Sequence, residues 1–326
     1  MRFREATTFD LPAIAATFDG RNALPLEPRV RESLPGLLGQ LIASPACTLS
    51  VFEHDSWSGP QVFSFAGGLF LRATVIEEYL ATPHPGLVSA VLAAMLDGQR
   101  PLLTLDEIRR ANSTDGLTLA VFPMPYGELG WDDAQVEQLR RLAPQALVRD
   151  IGGYRLRAIY YEVFTDDAAS YLRAGGYRLL HDFSAWSGAG FPVPDCRPRM
   201  LRLTRGDLPP AAMSMVTQMF DPPPATLGLT LAEQRVALRA LDGASDRAIA
   251  ETLGLSSETV RSSWRSIYRR LSHVLERVEA PAQRSDATTR GLEKRRVAVE
   301  YLRQNMHELR PHASRGPAVA STSSPA

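Results

Sequence analysis

The sequence predicts two domains of different fold class, an N-terminal α/β domain with a mixed sheet and a C-terminal all-α domain. Strand-like and helix-like segments alternate over residues 1–207, which is typical of a sheet covered by helices. Proline clusters interrupt this pattern at 208–228, and amphipathic helical segments follow from residue 229. With 326 residues, the chain is long enough to build a hydrophobic core in each part.

The composition excludes several kinds of protein. No apolar run approaches the length that spans a membrane, and the N-terminus lacks the apolar core of a secretion signal. We therefore expect a cytoplasmic protein with no membrane partner. Cys47 and Cys196 are far apart and have no CxxC spacing, so no disulfide framework is predicted. His54, His84 and His181 share no metal-ligand spacing, so no metal site is predicted either.

The elements of the first domain are predicted from apolar periodicity and turn residues. TLSVFEH and QVFSFAGGLFLRA form a hairpin around a turn cluster at 55–60, and Pro83 and Pro85 interrupt the helical segments of 74–96. The predicted order is strand FREAT, helix DLPAIAATF capped by Asp10, the hairpin, helical segments within 74–96, strand LTLAVFPM, helix 132–147, strand YRLRAIYYEVF, helix 166–174, and strands YRLLHDFSAW and RPRMLRLTR.

Two polar groups in this domain have a structural interpretation. Tyr160, Tyr161 and Glu162 follow one another on a strand, where aromatic residues usually belong to the core. Asp166 and Asp167 open a helix, where acidic residues usually act as caps. We therefore predict no catalytic site from either group.

The opening RFREATTFDLPAIAATF and the closing AIYYEVFTDDAASYLRAGGYRLL resemble the GNAT superfamily of N-acetyltransferases over most of residues 1–207. In that family the turn Q/R-x-x-G-x-G/A after the fourth strand binds the pyrophosphate of acetyl-CoA at a helix N-terminus. The corresponding turn here is 127–132, in which Gly130 fits the motif while the carboxylate of Asp132 would repel a phosphate. The resemblance therefore implies a GNAT-like fold with a degenerate cofactor loop.

The second GNAT marker, N-x-x-A-x-x-x-Y-x-x-x-G-F, places Leu172 where the family has a proton-donating tyrosine. Leucine cannot donate a proton, and Tyr171 lies about 100° around the helix. We therefore expect no catalytic residue, no cofactor beyond weak acetyl-CoA binding at Gly130, and a module that senses a small-molecule effector or a partner. The cleft between LAVFPM and YRLRAIYYEVF is its predicted ligand site.

Residues 208–228 are predicted to be a Pro-rich linker with a short helix, and 229–279 a helix-turn-helix domain. Thr230 and Glu233 have the spacing of a capping box at the first helix, and Ser245 caps the second. Gly254 ends the second helix in a left-handed conformation, and Ser256 caps the third. The predicted core consists of Val236, Ile249, Ala250, Leu253, Leu255, Val260 and Ile267.

These fixed spacings resemble the C-terminal domain of LuxR-type (NarL/GerE-like) transcription regulators over about 45 residues. The family usually has Lys and His where Arg261 and Ser263 stand, and arginine preserves the charge. The matching positions are Leu229, Thr230, Glu233, Val236, Gly243, Ser245, Ile249, Ala250, Leu253, Ser256, Thr259, Val260, Ile267, Arg270 and Leu271. The resemblance implies a regulator that binds double-stranded DNA and is associated with the nucleoid.

The third helix carries the predicted DNA-binding residues. It holds four arginines against Glu258 alone between residues 256 and 271, so it is locally basic although the chain has no net charge. The resemblance places Arg261, Ser262 and Arg265 against the bases. It places Thr259 and Arg269 against phosphates, and Ser257 completes the set.

A C-terminal helix is predicted within 280–310 and a disordered tail at 311–326. The helix has an apolar stripe at Leu292, Val299, Leu302, Met306 and Leu309. Such a stripe usually packs on its own domain or on a partner subunit. Because this stripe and that at 271–278 have no assigned partner within the helix-turn-helix module, we expect them to support a homodimer that binds repeated half-sites roughly 10 bp apart.

Three alternatives remain open. In the first, the chain is an acetyl-CoA-dependent N-acetyltransferase with an attached DNA-binding module. In the second, the helix-turn-helix serves dimerisation alone. In the third, the first domain has another α/β fold, such as the autoinducer-binding sandwich of classical LuxR proteins.

Overall fold

The computed structural model describes residues 1–18, 26–56, 59–123, 133–186, 197–208, 215–275 and 287–313. The chain divides into two compact units, Met1–Pro222 and Pro223–Ala326.

The first unit is built on a seven-stranded sheet with the order β1-β2-β3-β4-β5-β7-β6. β4 and β5 pair in parallel and every other neighbouring pair is antiparallel, which confirms the predicted mixed sheet. The strands are β1 Arg2–Glu5, β2 Cys47–Ser56, β3 Gly59–Leu71, β4 Leu117–Val121, β5 Leu156–Val163, β6 Arg178–Asp182 and β7 Arg199–Thr204.

Helices cover both faces of this sheet. Side chains alternate between the faces, so that Val51 and Phe65 pack in one cluster with α1, α3 and α5, whereas Phe52 and Phe63 pack in another with α7. The helices are α1 Leu11–Thr17, α2 Pro28–Glu32, α3 Leu34–Ala43, α4 Ala73–Ala81, α5 Leu87–Leu96, α6 Leu105–Ser113, α7 Asp133–Ile151, α8 Asp166–Ala174 and α9 Met215–Phe220.

Three of these helices are missing from the sequence prediction. α2 and α3 lie in a segment whose Pro35, Gly36 and Gly39 suggest a loop, yet four leucines of α3 are buried against the sheet. Burial of an apolar face stabilises α3 more than glycine and proline destabilise it. α6 begins at a capping box between Thr104 and Glu107, a local signal that the sequence does contain.

Two predicted helix caps are wrong. Asp10 does not cap α1, because its carboxylate accepts hydrogen bonds from the Thr7 amide at 2.7 Å and from the Arg4 guanidinium at 2.7 and 2.8 Å. These contacts tie β1 to the turn before α1. The aspartate pair does not cap α8 either, since the Thr165 hydroxyl accepts the bond from the Ala168 amide.

The second unit is helical. It contains α10 Leu231–Leu241, α11 Asp246–Leu253, α12 Ser257–Leu275, α13 Ala287–Gln304 and a short 3₁₀ segment Met306–Leu309. The predicted core residues Val236, Ile249, Ala250, Val260 and Ile267 are buried together, with Leu253 and Leu255 packed against them. The same core takes in Leu227, Leu229, Ala237, Ala240, Trp264, Leu271, Ala298, Leu302 and Leu309.

The α13 stripe does not lie on an open face. Leu302 and Leu309 are each 1% exposed in the core of the same unit, and Val299 and Met306 pack against it. The expectation that this stripe is free for a partner subunit is therefore wrong. The Leu292 side chain, residues 276–286 and most of the predicted tail lie outside the described residues.

No helix in the described part of the chain is long and apolar enough to cross a membrane. Within the same residues, no group of His, Cys, Asp and Glu has the arrangement of a metal site.

Candidate nucleic-acid interface

α12 has one buried and one exposed face. Val260, Trp264, Ile267 and Leu271 recur every three or four residues and are at most 4% exposed. The predicted contact residues lie on the other side of the helix and are all exposed. They are Ser257, Thr259, Arg261, Ser262, Arg265 and Arg269. The helix therefore presents the predicted DNA-binding set to solvent.

Local interactions fix the start of this helix. Gly254 has φ 64° and ψ 35°, a left-handed conformation that lets the chain turn sharply out of α11. The Ser256 hydroxyl then accepts the Thr259 amide at 3.0 Å and lies 2.8 Å from the Thr259 hydroxyl. The predicted glycine turn and Ser256 cap are both confirmed, and the Thr259 hydroxyl is engaged in the cap.

The two arginines assigned to base contacts share one carboxylate. Glu258 accepts a hydrogen bond from Arg261 at 3.3 Å and another from Arg265 at 2.9 Å. The hydrogen bond and the charge of Arg265 lower the pKa of Glu258, so this carboxylate is ionised at neutral pH. Glu258 was not among the predicted site residues, although its spacing from Arg261 and Arg265 places it on the same side of the helix.

The other arginines of α12 differ in what they contact. Arg269 is exposed and donates to the Ser266 hydroxyl at 3.3 Å, so its charge faces solvent. Arg270 instead donates to the Leu227 carbonyl at 3.1 Å and lies 3.7 Å from the Glu233 carboxylate. Arg270 thus holds its own unit together.

α13 supports the interface from behind. The Arg295 guanidinium lies 5.0 Å from the centre of the Trp264 ring, donates to the Ala244 carbonyl at 3.0 Å and pairs with Asp246. Trp264 in turn stacks on Tyr268 at 5.6 Å. Arg295 therefore links the start of α11 to the buried face of α12. This contact is not predicted from the sequence.

A buried glutamate connects the two ends of the helical unit. Glu308 is fully buried and accepts hydrogen bonds from the Thr226 amide and hydroxyl and from the Leu227 amide, at 2.6 to 3.0 Å. Gln234 donates to the backbone carbonyl of Arg310 at 3.0 Å. These bonds fix the segment that leads into α10.

Of the predicted acetyl-CoA site in the first unit, the described residues include α8 but not the cofactor loop. The loop 127–132 with Gly130 lies outside them. On α8, Leu172 packs into a small apolar cluster while Tyr171 is 61% exposed, as the helical spacing predicts.

Glu162 at the end of β5 is 2% exposed and caps α5, accepting the Gly86 and Leu87 amides at 2.6 and 3.2 Å. Burial raises its pKa to about 7, against the opposing effect of these two hydrogen bonds. Tyr160 is a core residue, as predicted.

A cavity of about 380 Å³ lies between α4 and α5. The cleft predicted between LAVFPM and YRLRAIYYEVF borders residues 124–132, which lie outside the described residues, so it stays a prediction. Val75, Leu87 and Val91 give it apolar walls, and Tyr79, His84 and Arg100 give it polar groups. Tyr79 is 6% exposed, and its hydroxyl has no hydrogen-bond partner among the described residues. This volume falls in the range of pockets for small molecules.

Several solved structures are similar to part of the chain. One is a ribosomal-protein-alanine N-acetyltransferase from Brucella melitensis, with 16% identity and a TM-score of 0.35 over 63% of this chain and 99% of that one. Another is a spermidine N-acetyltransferase from Vibrio cholerae, with 11% identity and a TM-score of 0.34 over 63% of this chain and 95% of that one. A third is a phosphinothricin acetyltransferase from Sinorhizobium meliloti (11%, 0.34, 62% and 86%).

No protein-family model matches the sequence, and no curated protein does.

Proposed function

We propose that the chain is a sequence-specific DNA-binding transcription regulator whose helical unit binds duplex DNA through α12. The observation that carries this proposal is the exposed face of α12, where Arg261, Arg265 and Arg269 project beside Ser257, Thr259 and Ser262. The opposite face is locked into the core by Trp264 and its neighbours. The face is thus rigid, helical and basic, as a helix that enters the major groove needs to be.

The roles of the residues follow from their chemistry. A guanidinium group can donate two parallel hydrogen bonds to the O6 and N7 atoms of guanine, which makes Arg261 and Arg265 the readers of sequence. Arg269, one turn beyond Arg265, and Thr259, at the start of the helix, contact phosphates. Loss of a reader weakens binding to the preferred site more than binding to other DNA.

The test measures binding of the full chain to random duplex DNA and to a duplex selected from a random library. Arg261→Ala and Arg265→Ala should each weaken binding to the selected duplex by about 1–3 kcal/mol and reduce discrimination. Arg303→Ala is the matched control, because Arg303 on α13 is also exposed and also pairs with a glutamate three residues earlier. Unaltered binding by both reader variants, with the fold intact, would contradict the proposal.

The first unit serves as a sensing module in this proposal. The cavity between α4 and α5, with the unpaired Tyr79 hydroxyl in its lining, suits a small apolar molecule that carries a hydrogen-bond acceptor. Such an effector shifts DNA binding only through a difference in its affinity for the free and DNA-bound forms.

The second candidate is a GNAT-like N-acetyltransferase that uses acetyl-CoA. The observation in its favour is the parallel β4–β5 pair, because a GNAT-like fold is expected to have its cleft beside these two strands. The pairing ends at Val121 and Tyr161, while β5 continues to Val163. Thiol release from acetyl-CoA with a panel of amines tests this candidate. Transfer by the full chain that is abolished by substitutions in 127–132 would favour it over a pure sensing role.

Homodimerisation on DNA remains a prediction, but the α13 stripe no longer supports it. The α13 stripe is used within its own unit, so a dimer would have to form through other surfaces. Light scattering of the full chain with and without the selected duplex distinguishes a monomer from a dimer.

A third role, dimerisation without DNA binding, predicts no affinity for random duplex at low salt.

A further inference from the structure

The shared carboxylate on α12 is an unusual feature of a surface that is meant to bind a polyanion. Glu258 is 62% exposed, and both of its oxygens are engaged, one by Arg261 at 3.3 Å and the other by Arg265 at 2.9 Å. The carboxylate therefore lies among the groups assigned to DNA, and it repels phosphates.

An exposed ion pair of this kind adds little to folding stability, because water weakens the attraction and both side chains lose conformational entropy. The effect of the carboxylate on DNA binding is larger, because its negative charge cancels one of the two positive charges that would attract phosphates. Each phosphate contact adds about 0.9 to the slope of log affinity against log salt concentration. One carboxylate in this position thus removes roughly one phosphate contact from sequence-independent binding.

The same contacts organise the two readers. Arginine side chains lose rotamer freedom when they bind, and a guanidinium that is already held by a carboxylate loses less. Arg261 and Arg265 are 62% and 67% exposed, so their remaining donors are accessible to solvent. A base edge can use these donors while the carboxylate keeps its own bonds.

We propose that Glu258 is a specificity-determining residue of this DNA-binding surface: it suppresses phosphate binding by Arg261 and Arg265 and holds both for recognition of bases. This inference rests on the proposed function and adds the residue that separates specific from non-specific binding.

The experiment compares Glu258→Gln with the wild type in the full chain, using a short random-sequence duplex and a duplex selected by the wild-type protein. Glu258→Gln should bind the random duplex about 3–10 times more tightly at moderate salt, with a salt slope steeper by about one. Affinity for the selected duplex should change less, so the ratio of the two affinities falls.

Glu300→Gln is the control for the loss of one negative charge. Glu300 on α13 is 51% exposed and pairs with Arg303 at 2.8 Å, the same three-residue spacing as Glu258 and Arg261. It should leave the affinity for the random duplex unchanged. If it tightened binding as much as Glu258→Gln, the effect would come from net charge and the inference would be wrong.

A second comparison places Glu258→Gln in an Arg265→Ala background, where the gain for random duplex should be reduced because the stronger of the two contacts is absent. An equal gain in both backgrounds would overturn the inference. Weaker binding of both duplexes by Glu258→Gln would also overturn it, because the carboxylate would then contact DNA favourably. No binding of any duplex by the wild type would instead reject the proposed function itself.

Discussion

Glu162 shows how one buried residue can make the stability of the first unit depend on pH. Its pKa is raised from 4.5 to about 7 because burial disfavours the charged form. Between these two values the folded state binds more protons than the unfolded state. The contribution of Glu162 to the unfolding free energy therefore falls as the pH rises from about 4.5 to 7. The full difference amounts to about 3 kcal/mol.

Glu162→Gln should therefore flatten the pH dependence of the unfolding free energy of this unit between about pH 4.5 and 7. Glutamine keeps one oxygen to accept an amide of the pair Gly86 and Leu87. The measurement is urea unfolding at several pH values. Glu137→Gln, which removes an exposed glutamate on α7, is the control. A variant with the same pH dependence as the wild type would show that Glu162 does not titrate in this range.

At the scale of an element, the turn between α11 and α12 depends on a single glycine. Gly254 has φ 64°, and no atom lies within 4 Å of the position that an added Cβ would take. The cost of Gly254→Ala is therefore conformational and not steric, about 1–2 kcal/mol for a left-handed alanine. We expect this loss in the unfolding free energy of the helical unit.

Gly36→Ala is the matched control. Gly36 lies in α3, also has open space around its Cβ position and has no positive φ. Replacing Gly36 by alanine should stabilise the first unit by about 0.5–1 kcal/mol, because alanine loses less conformational entropy than glycine when a helix forms. The opposite signs of the two effects, measured by chemical denaturation, separate backbone conformation from volume. A neutral Gly254→Ala would argue against the left-handed turn.

At the scale of the whole molecule, each unit buries its own core, so we expect two unfolding transitions. Glu308→Gln should lower only the transition of Pro223–Ala326, by about 2–3 kcal/mol, because glutamine offers one acceptor oxygen where Thr226 and Leu227 need two. Glu300→Gln, at an exposed position, should change it by less than about 0.5 kcal/mol. Differential scanning calorimetry of the full chain makes the comparison, and a single merged transition that moves as a whole would refute it.

The sequence by itself determined the features that arise within a few residues. The capping box of Thr230 and Glu233, the Ser245 cap and the glycine turn at Gly254 are all present as predicted. Most strands followed from apolar periodicity, and the exposed residues of α12 from the family resemblance. These features are local, because a cap or a helical face depends on neighbours no more than one or two turns away.

Tertiary structure decided the contacts between distant residues. Glu162 meets Gly86 and Glu308 meets Thr226 across 76 and 82 positions of sequence, and Arg295 reaches Trp264 from another helix. Such pairs leave no periodic pattern, so the sequence could predict neither the α13 packing nor the role of Glu308. It also could not place α3, whose glycines are tolerated only because its leucines are buried by the sheet. Local chemistry therefore fixed the elements, and burial fixed how they fit together.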